Sequence, residues 1–173
     1  MKNYKEILKD ITTLIFDVDG VLTDGSVLIH PNGEKIRTLN SRDGYALQLA
    51  VKKGFNICII TGGNSVPVKE ALKTLGITDI YLSSSYKPDV LKDYLFERSI
   101  KPHNCLYMGD DIPDYHTMQM VALPVCPYDA AQEIKDISLY ISPLNGGKGC
   151  VRDVIEQVLK SQNKWMDSES FKW

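Results

Sequence analysis

The feature that most limits how this chain can fold is a repeated design. Short apolar runs stop abruptly at polar or glycine residues, with helix-length stretches between them. Thr12 to Phe16 stops at Asp17, Asn56 to Ile60 at Thr61-Gly62-Gly63, and Asn104 to Met108 at Gly109-Asp110-Asp111; Asp79 to Leu82 repeats the pattern, and Val121 to Val125 is a candidate fifth run. Runs this short and apolar read as parallel strands buried on both faces. Helical patterns cover Asp43 to Lys53, Ser65 to Leu75, Asp89 to Ser99, Asp114 to Met120, Ala130 to Lys135 and Val151 to Lys160. Strand and helix in alternation predict an α/β fold with a doubly wound parallel sheet. Ligands of such sheets bind outside the carboxyl ends of the strands, where Asp17, Thr61 and Asp110 fall.

One segment, residues 26–40, breaks the alternation. Ser26 to His30 and Lys35 to Leu39 flank the turn signal Pro31-Asn32-Gly33, which predicts a projecting β-hairpin. The length of 173 residues and 43% hydrophobic content suit one domain, residues 1–161, followed by a polar tail, 162–173, that holds Trp165 and Trp173. Twenty basic against twenty-two acidic residues, with no basic run, leave no electrostatic footprint for nucleic acid. Met1 to Asp10 alternates charged and apolar residues, and no apolar stretch suits a signal peptide or membrane span, so a cytoplasmic location is expected. Cys58, Cys105, Cys126 and Cys150 form no Cys-x-x-Cys pair and read as reduced packing residues; His30, His103 and His116 lack metal-ligand spacing and receive no catalytic role.

Asp17 and Asp19 lie two apart, which on a continuous strand would send them to opposite faces. A chain reversal at Gly20 lets both address one phosphate. Asp17 is then the nucleophile, forming an aspartyl phosphate, and Asp19 the acid that protonates the departing ester oxygen and the base for the hydrolytic water. A carboxylate nearing a phosphate dianion meets roughly 4 kcal/mol of repulsion per charge pair at ~4 Å, so a cation is required. Mg²⁺ suits the donors Asp17, Asp110 and the Asp19 carbonyl. Thr61 and Gly62 offer a hydroxyl and an amide to the phosphate, and Lys87 offsets its charge.

The ordered set Asp17-Val18-Asp19-Gly20, Thr61, Lys87 and Gly109-Asp110-Asp111-x-x-Asp114 resembles the haloacid dehalogenase superfamily over nearly the whole chain. The resemblance implies the same roles, with Asp111 or Asp114 supporting the metal ligand. Neither gap between motifs has room for a cap domain, so the chain is similar to the small capless branch typified by 3-deoxy-D-manno-octulosonate 8-phosphate phosphatases. Val21-Leu22-Thr23-Asp24-Gly25, Asn40-Ser41-Arg42-Asp43-Gly44-Tyr45 and Gly146-Gly147-Lys148-Gly149-Cys150-Val151-Arg152-Asp153 carry that closer likeness. It implies a homotetramer assembled by hairpins, a sugar-acid phosphate substrate contacted by Asn40, Arg42, Asp43 and Gly44, with Arg42 facing the sugar carboxylate, and a place in lipopolysaccharide precursor synthesis. It also raises closure of a neighbour's site by the tail. Many relatives carry arginine directly after the Thr-Gly pair, where this chain has Gly63, so a nine-carbon ulosonate 9-phosphate stays open beside the eight-carbon substrate. A phosphoacceptor receiver domain places its phosphorylated aspartate on a middle strand, whereas Asn56 to Ile60 ends in Thr61.

Overall fold

The computed structural model describes residues 3–172. The chain opens with α1 (Tyr4–Ile7) and a 3-10 turn, Leu8–Asp10, before β1 (Thr13–Phe16). Next come β2 (Leu28–Ile29), β3 (Lys35–Ile36), α2 (Ser41–Lys52), β4 (Asn56–Ile60), α3 (Val66–Thr74), β5 (Asp79–Tyr81) and α4 (Lys87–Glu97). The remainder is β6 (Cys105–Met108), α5 (Tyr115–Met118), β7 (Leu123–Cys126), α6 (Gln132–Ile137), β8 (Tyr140–Ile141) and α7 (Cys150–Ser161).

Six strands form one sheet in the order β5-β4-β1-β6-β7-β8, every pairing parallel. All four residues of β1 are buried because helices cover both faces. Alternation divides them: Leu14 and Phe16 pack with Leu47, Leu72 and Val154 of α2, α3 and α7, while Ile15 packs with Leu91, Met118 and Ile134 of α4, α5 and α6. Each such burial contributes roughly 1.5–3 kcal/mol. Phe16 lies opposite both Ile59 and Met108, so β1, β4 and β6 end nearly level and the polar residues after them share one edge.

The sheet has a strand that the sequence pattern did not reveal. Tyr140 and Ile141 pair with Val125 and Cys126, a stretch too short for any periodicity to register. Helix α1 was likewise unexpected; Asn3 caps it by accepting from the Lys5 N–H. Helix α4 starts at Lys87, two residues before the expected Asp89, because Pro88 sits in the first turn where its missing N–H costs nothing. The hairpin is smaller than its sequence suggested: Leu28 pairs with Ile36 and Ile29 with Lys35, and all four residues are exposed. Its second arm stands beside α3 across a groove of about 320 Å³ lined in part by Ile36, Leu39, Val68 and Ala71.

The tail folds back on its own chain. Lys53 pairs with Asp167 and, at 2.7 Å, with Glu169, while Tyr45 donates to the Ser170 carbonyl. Trp165 is half-buried under the Arg152 guanidinium, 4.6 Å from its ring. Trp173 lies outside the described residues. No helix among the described residues is long and apolar enough to cross a membrane, and all four cysteines are free and buried.

Candidate active site

Asp17 leaves β1 in extended backbone, and its N–H donates to the Met108 carbonyl on β6 at 3.1 Å. The chain then turns back, helped by Gly20 at φ +88°. A Cβ on Gly20 would lie 2.0 Å from Asp110 Oδ2, so both the turn and the approach of Asp110 require glycine. Because the strand ends here, Asp17 and Asp19 both line one cavity of about 530 Å³. The glycine-rich segment before α7 supports the loop from behind. A Cβ on Gly146 would meet the Gly20 carbonyl oxygen at 2.0 Å, and the Gly147 N–H donates to the Val21 carbonyl at 2.9 Å.

Lys87, in the first turn of α4, sends its ammonium into the cavity, 2.8 Å from Asp17 Oδ2 and 2.7 Å from Asp114 Oδ1. Asp114 is fully engaged: Oδ1 also accepts from the buried Tyr107 hydroxyl at 2.7 Å, and Oδ2 accepts from the Asp110 N–H at 3.2 Å. Burial opposes the charge on Lys87, yet the Asp17 and Asp114 carboxylates outweigh it and hold its pKa above the ordinary lysine value. The same lysine fixes the direction of Asp17, whose Oδ1 accepts from the Val18 N–H at 2.7 Å. Burial, reinforced by Asp114, pushes Asp17 up to about 6, and Lys87 restrains the rise.

Asp110 is the carboxylate of this group that makes no ion pair among the described residues, Lys87 acting on it only from a distance. Burial, then repulsion from Asp17 and Asp114, pushes its pKa up to about 8, and its buried Oδ1 has no hydrogen-bond partner. Carboxylate oxygens of Asp17, Asp110 and Asp114 lie within 4.8 Å of one another. Each pair of ionised carboxylates at that distance costs about 3 kcal/mol at an effective dielectric near 20, and one lysine cannot offset all of it. An all-oxygen donor set with an orphaned oxygen fits a hard divalent cation. Asp114 accepts three bonds, from Lys87, Tyr107 and the Asp110 N–H, and Asp17 two, so Asp110 and Asp17 keep more acceptor capacity for such an ion than Asp114 does.

Thr61, at the end of β4, is buried, and its Oγ accepts from the Gly63 N–H at 3.1 Å. Gly62, Gly63, Ser84, Ser85, Asp111 and Pro113 complete much of the wall. Asp111 caps its own turn, Oδ1 accepting from the Ile112 N–H at 2.8 Å. The structure thus gathers Asp17, Asp19, Thr61, Gly62, Lys87, Asp110, Asp111 and Asp114 around one cavity.

The expected substrate contacts at the N-terminus of α2 are placed differently, and Asn40, Arg42, Asp43 and Gly44 do not line this cavity. Asn40 caps α2, accepting from the Arg42 N–H at 2.9 Å, and its Nδ2 donates to the Gly147 carbonyl. Arg42 is exposed, and Gly44 faces Leu75. Asp43 is 1% exposed and its Oδ1 accepts from the Arg152 N–H at 2.7 Å, so it ties α2 to the start of α7. Its place after an N-cap asparagine, pointing inward from a helix's first turn, was the available signal.

Sequence reasoning also missed Arg37. From the hairpin it reaches Asp19 with two hydrogen bonds, Nε to Oδ1 at 2.7 Å and Nη2 to Oδ2 at 2.9 Å. No local pattern links residues eighteen apart across a hairpin arm.

No protein-family model matches the chain. It is 38% identical over 156 residues to the 3-deoxy-D-manno-octulosonate 8-phosphate phosphatase KdsC of Escherichia coli K12, covering 90% of this chain and 83% of the relative. A crystal structure of 3-deoxy-D-manno-octulosonate 8-phosphate phosphatase from Moraxella catarrhalis, in complex with magnesium, phosphate and a KDO molecule, matches with a TM-score of 0.92 and 31% identity, covering 95% of each chain. The Yersinia pestis phosphatase of the same name matches with a TM-score of 0.92 and 32% identity, over 94% of this chain and 88% of that one.

Proposed function

We propose a reaction from the premise that this chain belongs to the 3-deoxy-D-manno-octulosonate 8-phosphate phosphatase family, within the haloacid dehalogenase superfamily. The enzyme is a phosphoric monoester hydrolase that releases phosphate from 3-deoxy-D-manno-octulosonate 8-phosphate, in lipopolysaccharide precursor synthesis. The observation carrying this reading is Asp17 held at 2.8 Å by Lys87 beside Asp19 and the unpartnered Asp110.

An Asp17 carboxylate oxygen attacks phosphorus as the ester P–O bond breaks, and the departing sugar oxygen takes a proton from Asp19. Asp19 then removes a proton from water, which attacks the aspartyl phosphate, frees inorganic phosphate and restores both carboxyls. Lys87 orients Asp17 and opposes charge on the phosphoryl oxygens; Thr61 and the Gly62 amide hold those oxygens at the end of β4. Asp17 and Asp110, with the Asp19 carbonyl, are the proposed holders of Mg²⁺, with Asp111 and Asp114 in support. When bound, the ion neutralises charge shared between carboxylates and phosphate.

Arg42, exposed in the first turn of α2 at the same edge of the sheet, is the cation proposed for the sugar carboxylate. The homotetramer is likewise a proposal, supported by Leu28 and Ile29, 66% and 61% exposed on the hairpin. A cytoplasmic location accords with four free buried cysteines.

Phosphate release should be measured with Mg²⁺ on eight- and nine-carbon 2-keto-3-deoxy acid phosphates, with hexose phosphates as controls. The eight-carbon ester is expected to give the highest kcat/KM, and Asp17→Asn to lower its turnover by at least about 10³-fold. A folded Asp17→Asn protein that kept most of its activity would sink the nucleophile assignment, and preference for a nine-carbon ester would reassign the substrate.

A further inference from the structure

Asp19 has to present one oxygen to a leaving group, yet its own chain holds it loosely. It sits in a reversing loop, one-third exposed, and the neighbouring Thr23 hydroxyl is 3.4 Å away. The guanidinium of Arg37 supplies what the loop lacks. Its Nε and Nη2 take the two carboxylate oxygens separately, at 2.7 and 2.9 Å, while Nη1 faces the Lys35 carbonyl at 3.4 Å. The arginine side chain is only 8% exposed although the hairpin around it is open to solvent. A two-point grip of this kind fixes both the position and the plane of a carboxylate. A carboxyl group offers about four lone-pair sites, so the grip still leaves Asp19 one that can carry the transferable proton toward the leaving oxygen.

Gly63 borders this arrangement: a Cβ there would make ordinary van der Waals contact with Asp19 Oδ2 at 3.5 Å, Arg37 Nη2 at 3.7 Å and Thr61 Oγ at 3.4 Å. The arginine comes from residues adjoining β3, so the hairpin brings a side chain into the reaction site of its own chain.

We propose that Arg37 is a positioning residue that sets the orientation of Asp19 for proton delivery to the leaving oxygen. The inference rests on the acid role given to Asp19 above. Its signature is dependence on the leaving group: an aliphatic sugar oxygen needs a proton as the P–O bond breaks, whereas p-nitrophenolate departs without one.

The test compares wild type, Arg37→Met and Arg37→Lys, each with Mg²⁺. Both p-nitrophenyl phosphate and the aliphatic sugar phosphate that wild type hydrolyses fastest are used. The parameter read is kcat/KM, which covers events up to leaving-group departure and omits the later hydrolytic step. Arg37→Met is expected to lower kcat/KM for the sugar phosphate ten- to a hundredfold, mostly through kcat, and that for p-nitrophenyl phosphate less than threefold. Arg37→Lys, which keeps charge but grips at one point, is expected to recover part of the loss. An equal fall on both substrates, or no fall on the sugar phosphate, would overturn the proposal. Asp17→Asn, run in parallel, must silence both substrates; if it does not, the reaction itself has been misassigned. Any well-cleaved sugar phosphate serves, so an error in the eight-carbon assignment leaves this test intact.

Discussion

Asp43 shows how one residue can carry a fold-wide cost. Burial pushes its carboxyl up to about 6, although the Arg152 and Gly149 amides at the start of α7 favour the anion, and its buried Oδ2 has no partner. A carboxyl whose pKa is higher folded than unfolded binds a proton more tightly in the native state. Its stabilising contribution is therefore complete below its ordinary value of 3.8 and is lost as pH rises through about 6. Asp43→Asn keeps an oxygen for the Arg152 amide and removes the charge. In urea denaturation the variant should gain on wild type by roughly 2.4 kcal/mol between pH 4 and pH 7.5, and a pH-independent difference would show that Asp43 is not the group responsible. Asp17 and Thr61 were legible as site residues because each stops an apolar run. The bond from Asp43 to α7 was not legible, because a first-turn aspartate looks the same in sequence whether it faces a ligand or a second helix.

Among the elements, the hairpin and the tail depart most from ordinary packing. The hairpin holds one partner inward, through Arg37 on Asp19, and presents Leu28 and Ile29 outward. If these leucine and isoleucine side chains assemble the tetramer, Leu28→Asp combined with Ile29→Asp should reduce the mass seen by light scattering from four chains to fewer. A wild-type monomer at micromolar concentration would remove the assembly proposal altogether. The tail acts as a strap on α2 and α7: Lys53 clamps Asp167 and Glu169, and the Arg152 guanidinium sits between the rings of Tyr45 and Trp165, 5.3 and 4.6 Å away. Removing residues 165–173 forfeits about 2 kcal/mol of cation–π contact and apolar burial, an expected fall in Tm of about 4–8 °C with turnover unchanged at lower temperature. Lost turnover at unchanged Tm would mean instead that the tail acts at a reaction site.

At the scale of the whole molecule, the carboxyl edge of the sheet concentrates negative charge that the rest of the fold must tolerate. Asp17, Asp110 and Asp114 share a space 4.8 Å across with one lysine among them. A cation bound there should stabilise the folded state in proportion to its occupancy. At Mg²⁺ one hundredfold above its Kd the gain is about 2.7 kcal/mol, read as a rise in Tm that a chelator reverses. Asp110→Asn should abolish the rise and, without metal, melt above wild type because the repulsion is gone; an undiminished Mg²⁺ response would place the ion elsewhere. The order of apolar runs was enough, by itself, to determine a doubly wound parallel sheet and to put Asp17, Thr61 and Asp110 at its carboxyl edge, since strand ends are marked locally by where hydrophobicity stops. Lys87 was also legible, as a lysine beside a helix-starting proline. Tertiary structure alone decided that Arg37 grips Asp19, that the Gly146 segment backs the Asp17 loop, that Asp43 joins two helices and that the tail lies on its own chain. Those contacts join segments from eighteen to more than a hundred residues apart, and such pairings leave no periodicity behind in the chain.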